Sequence, residues 1–246
     1  MAKVNNSKAN KFYLEQGYYL HHHPIFSDVK FNNLTKIFED LNEKNKSSKI
    51  DLMDTPHFSN SKLLDYLLDE QVLDLVENFI GPNIGLWSSH FISKEPFKGK
   101  VTPWHEDTAY WKGRFDKMDK IVTIWLAIDD TDKENGCMKV IPKSHLNVNE
   151  LKYENVNTDK NIFNEQIVSV NESNAVYLGI KKGHCSLHDG RIVHGAEGNE
   201  SSRRRCGYTM RYFSQSMKYD EKHPYSKGYK LWHCRGTNFH NNPVEN

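Results

Sequence analysis

Two stretches near the start of the chain place apolar residues at helical spacing. Side chains three and four residues apart lie on one face of a helix, so each stretch predicts an amphipathic helix. The positions are Leu34, Ile37, Phe38 and Leu41, followed by Leu64, Leu67, Leu68, Val72, Leu75, Val76 and Phe79. The second helix is predicted to begin near residues 60–61, where Asn and Ser can cap it, and to end at Gly81 and Pro82.

From about residue 84 the pattern changes to short apolar runs broken by Gly, Pro, Asn and Asp, which is typical of strands. Residues 121–128 predict a buried strand, and Asn135-Gly136 predicts a hairpin turn after it. Residues 147–164 form a predicted loop that is long enough for a lid or a binding loop. Helices followed by strands predict a mainly β fold, a double-stranded β-helix (jelly roll, cupin-like) with flanking N-terminal α-helices.

The length of 246 residues and the hydrophobic content of 37% are enough for one sizeable core. We predict a single domain with a helical part over about 1–83, a jelly-roll core over about 84–215 and a C-terminal segment over 216–246. The formal net charge of +1 gives no reason to expect nucleic acid or an anionic membrane as a partner.

Four cysteines without a Cys-x-x-Cys spacing fit reduced thiols, which are typical of a cytosolic protein. The first residues lack the apolar core of a signal peptide, and the last residues carry no Ser-Lys-Leu peroxisomal address. No run approaches the roughly 20 apolar residues of a membrane span. We therefore expect a cytoplasmic location and no membrane partner.

The segment around His105 contains a candidate metal site. Residues 101–111 are rich in Val, Thr, Trp and Tyr and predict a strand, on which His105 and Asp107 share one face while Glu106 points the other way. Taken alone, such a pair is a weak signal in a chain with 13 His and 32 acidic residues. Together with His194 it supplies two imidazoles and one carboxylate, the facial triad that suits Fe(II) and oxygen chemistry.

Arg205 strengthens the metal hypothesis. Its planar guanidinium can hold a carboxylate through two parallel hydrogen bonds, as an iron dioxygenase needs for the far carboxylate of a 2-oxo acid. In the run 203–205, alternation places Arg203 and Arg205 on one face and Arg204 on the other. We interpret Arg205 as a clamp and the other two as mostly solvated, and expect Asn199 to brace the turn before them.

These features occur in an order that resembles the phytanoyl-CoA dioxygenase family of Fe(II)/2-oxoglutarate-dependent oxygenases. The resemblance covers roughly residues 94–213. Its motifs are Lys94, His105-x-Asp107, Trp125-x-Ala-x-Asp-Asp, Asn135-Gly-Cys, Pro142-x-Ser-His145, His188, and His194-Gly-x-x-x-Asn199-x-Ser-x-x-x-Arg205. Ala196 departs from the family pattern, in which a Ser often follows the His-Gly pair, so a small hydrogen bond near the co-substrate is in doubt.

The resemblance implies roles for individual residues and for the cofactors. His105, Asp107 and His194 become catalytic Fe(II) ligands, and Fe(II), 2-oxoglutarate and O2 become the cofactor set. Four residues are assigned to the co-substrate: Arg205, Lys94, Trp125 and His188. Three are assigned to the substrate: Tyr110, Trp111 and Arg211. A buried structural role is an equal alternative for His188, and Tyr110 and Trp111 could equally belong to the core.

The same resemblance implies the reaction but not the substrate. We expect hydroxylation, or a related desaturation or ring closure, of a small-molecule metabolite such as an amino-acid derivative or a natural-product intermediate, with release of succinate and CO2. The presence of Asp107 favours these outcomes over halogenation. Aromatic residues near the triad suit a polar or cationic molecule. Alternatives are an acyl-CoA hydroxylase of the same family, a Zn-dependent hydrolase and a non-oxidative metal-binding jelly-roll protein. The oligomeric state stays open.

Overall fold

The computed structural model describes residues 6–44, 52–147 and 150–245. Its α-helices are α1 (Asn6–Gln16), α2 (Asp28–Lys44), α3 (Leu64–Leu67) and α4 (Glu70–Ile80). Its strands are β1 (Tyr18–His21), β2 (Leu52–Asp54), β3 (Ile84–Lys94), β4 (Thr102–His105), β5 (Ile121–Ala127), β6 (Met138–Val140), β7 (Tyr153–Asn155), β8 (Glu165–Ile167), β9 (Val176–Tyr177), β10 (Cys185–Asp189), β11 (His194–Ala196), β12 (Arg205–Ser214), β13 (Leu231–Arg235) and β14 (Val244–Glu245).

The strands form one large and one small sheet. The large sheet has the order β1-β10-β5-β12-β3-β13-β14, with β2 also paired to β3, and the small sheet has the order β4-β11-β6-β9. All pairings in these sheets are antiparallel except β13 with β14. The predicted mainly β fold with N-terminal helices is confirmed.

The main core lies between the helices and the outer face of the large sheet. On β12, Tyr208 and Tyr212 belong to this core together with Leu34 and Phe38 of α2 and Val76 of α4. Because successive side chains alternate across a strand, the odd-numbered residues of β12 from 205 to 211 face the opposite side, toward the small sheet. One strand thus packs the helices with one face and lines a cavity with the other.

The helix predicted from residue 60 to residue 81 is divided in two. Asp69 is extended, and its side chain accepts a hydrogen bond from the Gln71 amide at 2.8 Å, which starts α4 afresh. The predicted end is correct, because Gly81 takes a φ of 85° and closes α4. The apolar spacing was predicted correctly, but Asp69 within this stretch caps α4 and interrupts the helix.

Of two other predictions about connections, the hairpin was wrong, and the long loop was correct only in part, because it contains a short strand although its Ile162 and Phe163 border the cavity. Residues 133–136 do form a turn, but β5 before it and β6 after it belong to different sheets. The predicted hairpin is therefore a connection between the two sheets. The predicted loop over 147–164 includes β7, which pairs with β8. The intervening chain is held to Val101 by hydrogen bonds with Lys160 and Ile162.

The large sheet draws strands from all three predicted parts of the chain. β1 and β2 come from the N-terminal part, and β13 and β14 come from the C-terminal segment. The division into three parts therefore does not describe separate layers, and the single domain stays a prediction. Among the helices within the described ranges, none is both long and apolar enough to cross a membrane.

Candidate active site

His105, Asp107 and His194 come together in the space between the two sheets. His105 ends β4 and His194 begins β11, and the two residues are register partners on neighbouring strands. Each residue offers a ligand atom, and these atoms lie within 4.8 Å of one another. All three side chains are buried, and within the described ranges no other group of three potential ligands meets the same criterion.

The strand that was predicted to carry the first two ligands is shorter than expected. It ends at His105, and Asp107 begins a 3-10 turn, Asp107–Trp111, that also contains Tyr110. Glu106 between them stays extended, with φ −116° and ψ 138°, so His105 and Asp107 still face the same side. The predicted strand over 101–111 was wrong in its extent, but the placement of the pair was correct.

Backbone carbonyls orient both histidines. The Nδ1 of His105 lies 2.8 Å from the Pro103 carbonyl, and the Nδ1 of His194 lies 2.9 Å from the Ile192 carbonyl. Each Nδ1 therefore carries the proton and donates, which leaves Nε2 as a free base toward the cluster. Burial lowers the pKa of both imidazoles, so they stay neutral, as metal ligands must. The donor set fits a divalent transition metal.

Arg211 holds the carboxylate of the cluster. Its Nε donates to Oδ2 of Asp107 at 3.1 Å and its Nη2 donates to Oδ1 at 3.3 Å. Burial alone would raise the pKa of Asp107, but the Arg211 guanidinium and the neighbouring histidines together outweigh burial and hold that pKa well below the usual value. Asp107 is thus a fixed anion. Arg211, predicted as a substrate residue, is also the orienting partner of a candidate metal ligand.

Sequence analysis missed His90 and Asp54, which continue this network. The Nη1 of Arg211 donates to Nδ1 of His90 at 3.1 Å, and Nε2 of His90 donates to Asp54 at 2.9 Å. Thr209 also accepts from Nη1 at 3.3 Å. The alternation of β12 predicts that Thr209 and Arg211 share a face. The link to Asp54 depends on the pairing of β2 with β3, for which the sequence carries no local signal.

Arg205 is a buried cation without a counter-charge. It is 3% exposed and its guanidinium lies over the Trp125 ring at 4.6 Å. Within the described residues no carboxylate forms an ion pair with it, and its Nε has no hydrogen-bond partner. Burial lowers the pKa of Arg205 to about 10, which still leaves it charged at neutral pH. A buried unpaired charge is costly, so the arrangement fits an anionic ligand such as the far carboxylate of 2-oxoglutarate.

Lys94 does not line the same cavity. It is the register partner of Arg205 across β3 and β12, but its ammonium donates to the backbone carbonyls of Lys100 and, at 2.9 Å, of Glu197. Its assignment as a second-tier member of the co-substrate pocket stays a prediction. Lys94 ties two segments of the cavity wall to β3.

The cavity has a volume of about 220 Å³ and is bordered by the triad, Arg205, Trp125, His188 and the three residues assigned to the substrate. His188 is buried, and neither of its ring nitrogens has a hydrogen-bond partner in the described part of the chain. Its Nε2 lies 3.8 Å from Oδ2 of Asp107, too far for a hydrogen bond. An unsatisfied imidazole in the wall favours a ligand contact over a purely structural role.

The two aromatic residues after the triad differ in position. Trp111 is buried against Trp87 and also borders the cavity, so it belongs to both the core and the wall. Tyr110 is 40% exposed and packs with Phe163, whose ring lies 5.0 Å from that of His105. Phe163 was not identified from the sequence, because it lies within the predicted loop.

The predicted alternation holds for Arg204 and Arg205, but Arg203 does not share the face of Arg205, because β12 begins only at Arg205. Arg203 is exposed and pairs with Asp132. Arg204 is not mostly solvated, as the sequence suggested, because it forms ion pairs with Glu39 of α2 and with Asp129. Asn199 braces the preceding turn as predicted: its Nδ2 donates to the carbonyls of Lys94 and Arg203, and its Oδ1 accepts from Ser201.

Gly207 allows Trp125 to lie under Arg205. A Cβ at this position would come within 2.0 Å of the Trp125 ring. We expect Gly207→Ala to displace the ring, to raise the KM for 2-oxoglutarate and to lower stability by roughly 1–3 kcal/mol. Denaturant unfolding and co-substrate titration measure both effects. Gly179→Ala is the control, since its Cβ would meet nothing closer than 3.4 Å, and an unchanged KM in Gly207→Ala would contradict the assignment.

Comparison with known proteins places these residues in a family. The phytanoyl-CoA dioxygenase family profile matches residues 19–207. The chain is 31% identical over 147 residues to peroxisomal phytanoyl-CoA dioxygenase of Bos taurus, covering 58% of this chain and 43% of that protein. It is 28% identical over 183 residues to a probable alpha-ketoglutarate-dependent hypophosphite dioxygenase of Stutzerimonas stutzeri, covering 72% of this chain and 61% of that protein.

The fold has solved counterparts. The 2-oxoglutarate complex of EvdO2 from Micromonospora carbonacea var. aurantiaca superimposes with a TM-score of 0.75 at 19% identity, covering 89% of this chain and 95% of that one. The first curated relatives are longer, and the chain spans only about half of their length. The family match extends over more than half of the chain, and the chain therefore belongs to the phytanoyl-CoA dioxygenase family of non-haem iron, 2-oxoglutarate-dependent oxygenases.

Proposed function

We propose that this protein is an Fe(II)/2-oxoglutarate-dependent dioxygenase that hydroxylates a small molecule. The observation that carries the proposal is the joint placement of a buried two-histidine, one-carboxylate cluster and a buried, charged, unpaired Arg205 in one cavity. Bound Fe(II), together with 2-oxoglutarate and O2, would supply oxidation of a C–H bond coupled to the release of succinate and CO2.

The side chains of the protein would bind and orient these groups. His105, Asp107 and His194 would be the protein ligands of the metal. Arg205, whose guanidinium lies over the Trp125 ring, would hold the far carboxylate of 2-oxoglutarate and so orient the co-substrate. The apolar part of the wall, to which Ile92, Met138 and Phe163 belong, would limit the water around the reacting groups and so protect the reaction from side products.

The size of the cavity supports a compact substrate. Its volume of about 220 Å³ is below the roughly 300–1,000 Å³ of sites for drug-sized ligands, and the co-substrate must share it. Only the reacting end of an acyl-CoA would fit inside, so a small metabolite is the better match. A Zn-dependent hydrolase or a non-oxidative metal-binding protein has no use for the buried charge of Arg205.

The test is a turnover assay with purified protein, Fe(II), 2-oxoglutarate and a panel of metabolites. We expect succinate formation that requires both Fe(II) and 2-oxoglutarate and that rises with one class of substrate. Under anaerobic conditions, we expect a visible charge-transfer band when Fe(II) and 2-oxoglutarate bind together. If neither the band nor succinate forms, or if Zn(II) supports hydrolysis instead, the proposal is wrong.

A further inference from the structure

We propose that the substrate is a compact molecule with a single negative charge, and that this charge is bound at the Arg211 end of the cavity. The inference rests on the proposed function, since it assumes that a divalent metal and 2-oxoglutarate share the cavity. It adds the charge class and the binding direction of the substrate, which the proposed function leaves open.

The first argument is the charge inventory of the cavity wall. Among the described residues that border the cavity, Arg205 and Arg211 are the guanidinium groups and Asp107 is the sole carboxylate. A divalent ion and two guanidinium groups would therefore face one carboxylate and a dianionic co-substrate. One positive charge is left without a counter-charge in a poorly solvated space, where that imbalance is costly.

The second argument locates the excess charge. Arg205 and Arg211 lie on the same face of β12, six residues apart, and 2-oxoglutarate would neutralise the Arg205 end. At the other end, Asp107 pairs with Arg211 and would also bind the metal, so its one negative charge would not neutralise both. The excess positive charge therefore lies beside Arg211, on the side of the cavity that the co-substrate does not occupy.

Arg211 also retains a donor for a ligand. Its Nε and Nη2 each donate once to Asp107, and Nη1 donates to His90 and Thr209. These contacts account for four of its five N–H groups, and within the described residues nothing accepts from the second hydrogen of Nη2. Because the other contacts hold the guanidinium still, this donor is fixed in position before a ligand arrives.

Asp54, which the His90 ring links to Arg211, offsets the charge only in part. It is separated from Arg211 by the His90 ring, and its side chain is 67% exposed, so water screens it. His90 accepts at Nδ1 from Arg211 and donates at Nε2 to Asp54, so it is the neutral tautomer and adds no negative charge.

The remaining wall suits an apolar body and disfavours a cation. Leu52, Ile92 and Phe163 border the cavity, and the Trp111 ring already receives the Arg211 guanidinium at 5.3 Å. With 2-oxoglutarate at Arg205, a cationic substrate would meet the Arg211 guanidinium and no free carboxylate, and like charges placed together repel. This argument disfavours the cationic substrate that the aromatic residues alone suggested.

The experiment compares probes that differ in charge but hardly in shape. Protein loaded anaerobically with Fe(II) and saturating 2-oxoglutarate is titrated with hexanoate, hexanamide and hexylamine, and with phenylacetate, phenylacetamide and phenethylamine. Binding is measured by calorimetry and by the change in the charge-transfer band. We expect one carboxylate or both to bind at least tenfold more tightly than the matching amide, with the amines weakest. Equal binding of amide and carboxylate, tighter binding of an amine, or no binding of either carboxylate overturns the inference.

Two controls locate the anion. Raising the 2-oxoglutarate concentration should leave probe affinity unchanged, whereas competition would place the carboxylate at Arg205 and overturn the inference. Arg211→Met should remove the preference for carboxylate, Arg211→Lys should retain it, and Arg203→Met should leave it unchanged because Arg203 is exposed and distant from the cavity wall. Retention of the preference in Arg211→Met contradicts the inference.

The band also separates the two proposals. If no band forms with Fe(II) and 2-oxoglutarate, the proposed function fails. If the band forms and the probes show no charge preference, only the present inference fails.

Discussion

Replacing His194 with Ala is expected to abolish turnover and to weaken Fe(II) binding while the fold persists. The change removes one of three candidate ligands, so the loss of affinity should exceed the roughly 10–100-fold that follows loss of a group that merely orients a ligand. The side chain lies at the cavity and outside the apolar clusters, so the melting temperature should change little. Metal titration, turnover and thermal unfolding measure the three effects.

The control for this prediction is His22→Ala, which removes an exposed imidazole and should change neither metal affinity nor turnover. Undiminished activity in His194→Ala would show that the cluster does not hold the catalytic metal. A collapse of the melting temperature would instead show that the histidine is a structural residue.

Replacing Arg205 with Ala is expected to raise the requirement for 2-oxoglutarate sharply. Loss of one side of a buried charge pair costs roughly 2–5 kcal/mol, which corresponds to a roughly 30-fold to several-thousand-fold increase in Kd at about 1.4 kcal/mol per tenfold change. Fe(II) affinity without 2-oxoglutarate should stay close to that of the unchanged protein. Co-substrate titration of succinate formation and of the charge-transfer band measures the shift.

The neighbouring arginines are matched controls with different expectations. Arg203→Ala removes an exposed partner of Asp132 and should change little. Arg204→Ala should lower the melting temperature, because Arg204 joins α2 to the large sheet through Glu39 and Asp129 and stacks on Phe38. The concentration of 2-oxoglutarate that Arg204→Ala requires should change little. If Arg204→Ala instead raised the requirement for 2-oxoglutarate, Arg204 rather than Arg205 would face the cavity, and the two faces of β12 would be exchanged.

Features governed by local periodicity could be predicted from the sequence. The amphipathic faces of α2 and α4 and the alternation at Arg204 and Arg205 depend only on which residues are neighbours along the chain. The orientation of His105 with Asp107 depends on a spacing of two and a single extended residue between them. These features were correct because backbone geometry alone determines them.

Features governed by long-range pairing could not be predicted in the same way. Strand β1 pairs with β10, and β2 pairs with β3, although the sequence of neither short strand indicates which strand it pairs with. The turn at Asn135 and Gly136 has the right residues for a hairpin, but the strands on either side enter different sheets. Turn chemistry determines the direction of the local backbone, and the partner of each strand is decided by packing elsewhere.

The same limit applies to the site. Alternation along β12 puts Arg211 on the same face as Arg205, but its hydrogen bonds to Asp107 require the 3-10 turn to approach β12. Asp54 and His90 join the network only because β2 lies beside β3. Residues that join a site from distant strands cannot be identified from the sequence until the pairing of those strands is known.

The turn braced by Asn199 has a consequence for how sequences with this fold can change length. A one-residue insertion or deletion between Asn199 and Arg205 has to be absorbed within the turn, because a shift carried into β12 would send Arg205 toward the helices and Arg204 into the cavity. Such a shift would impair stability and co-substrate binding together. The segment between β7 and β8 borders the cavity through Ile162 and Phe163, so loop grafts that aim to change the substrate should be made there with its hydrogen bonds to Val101 retained.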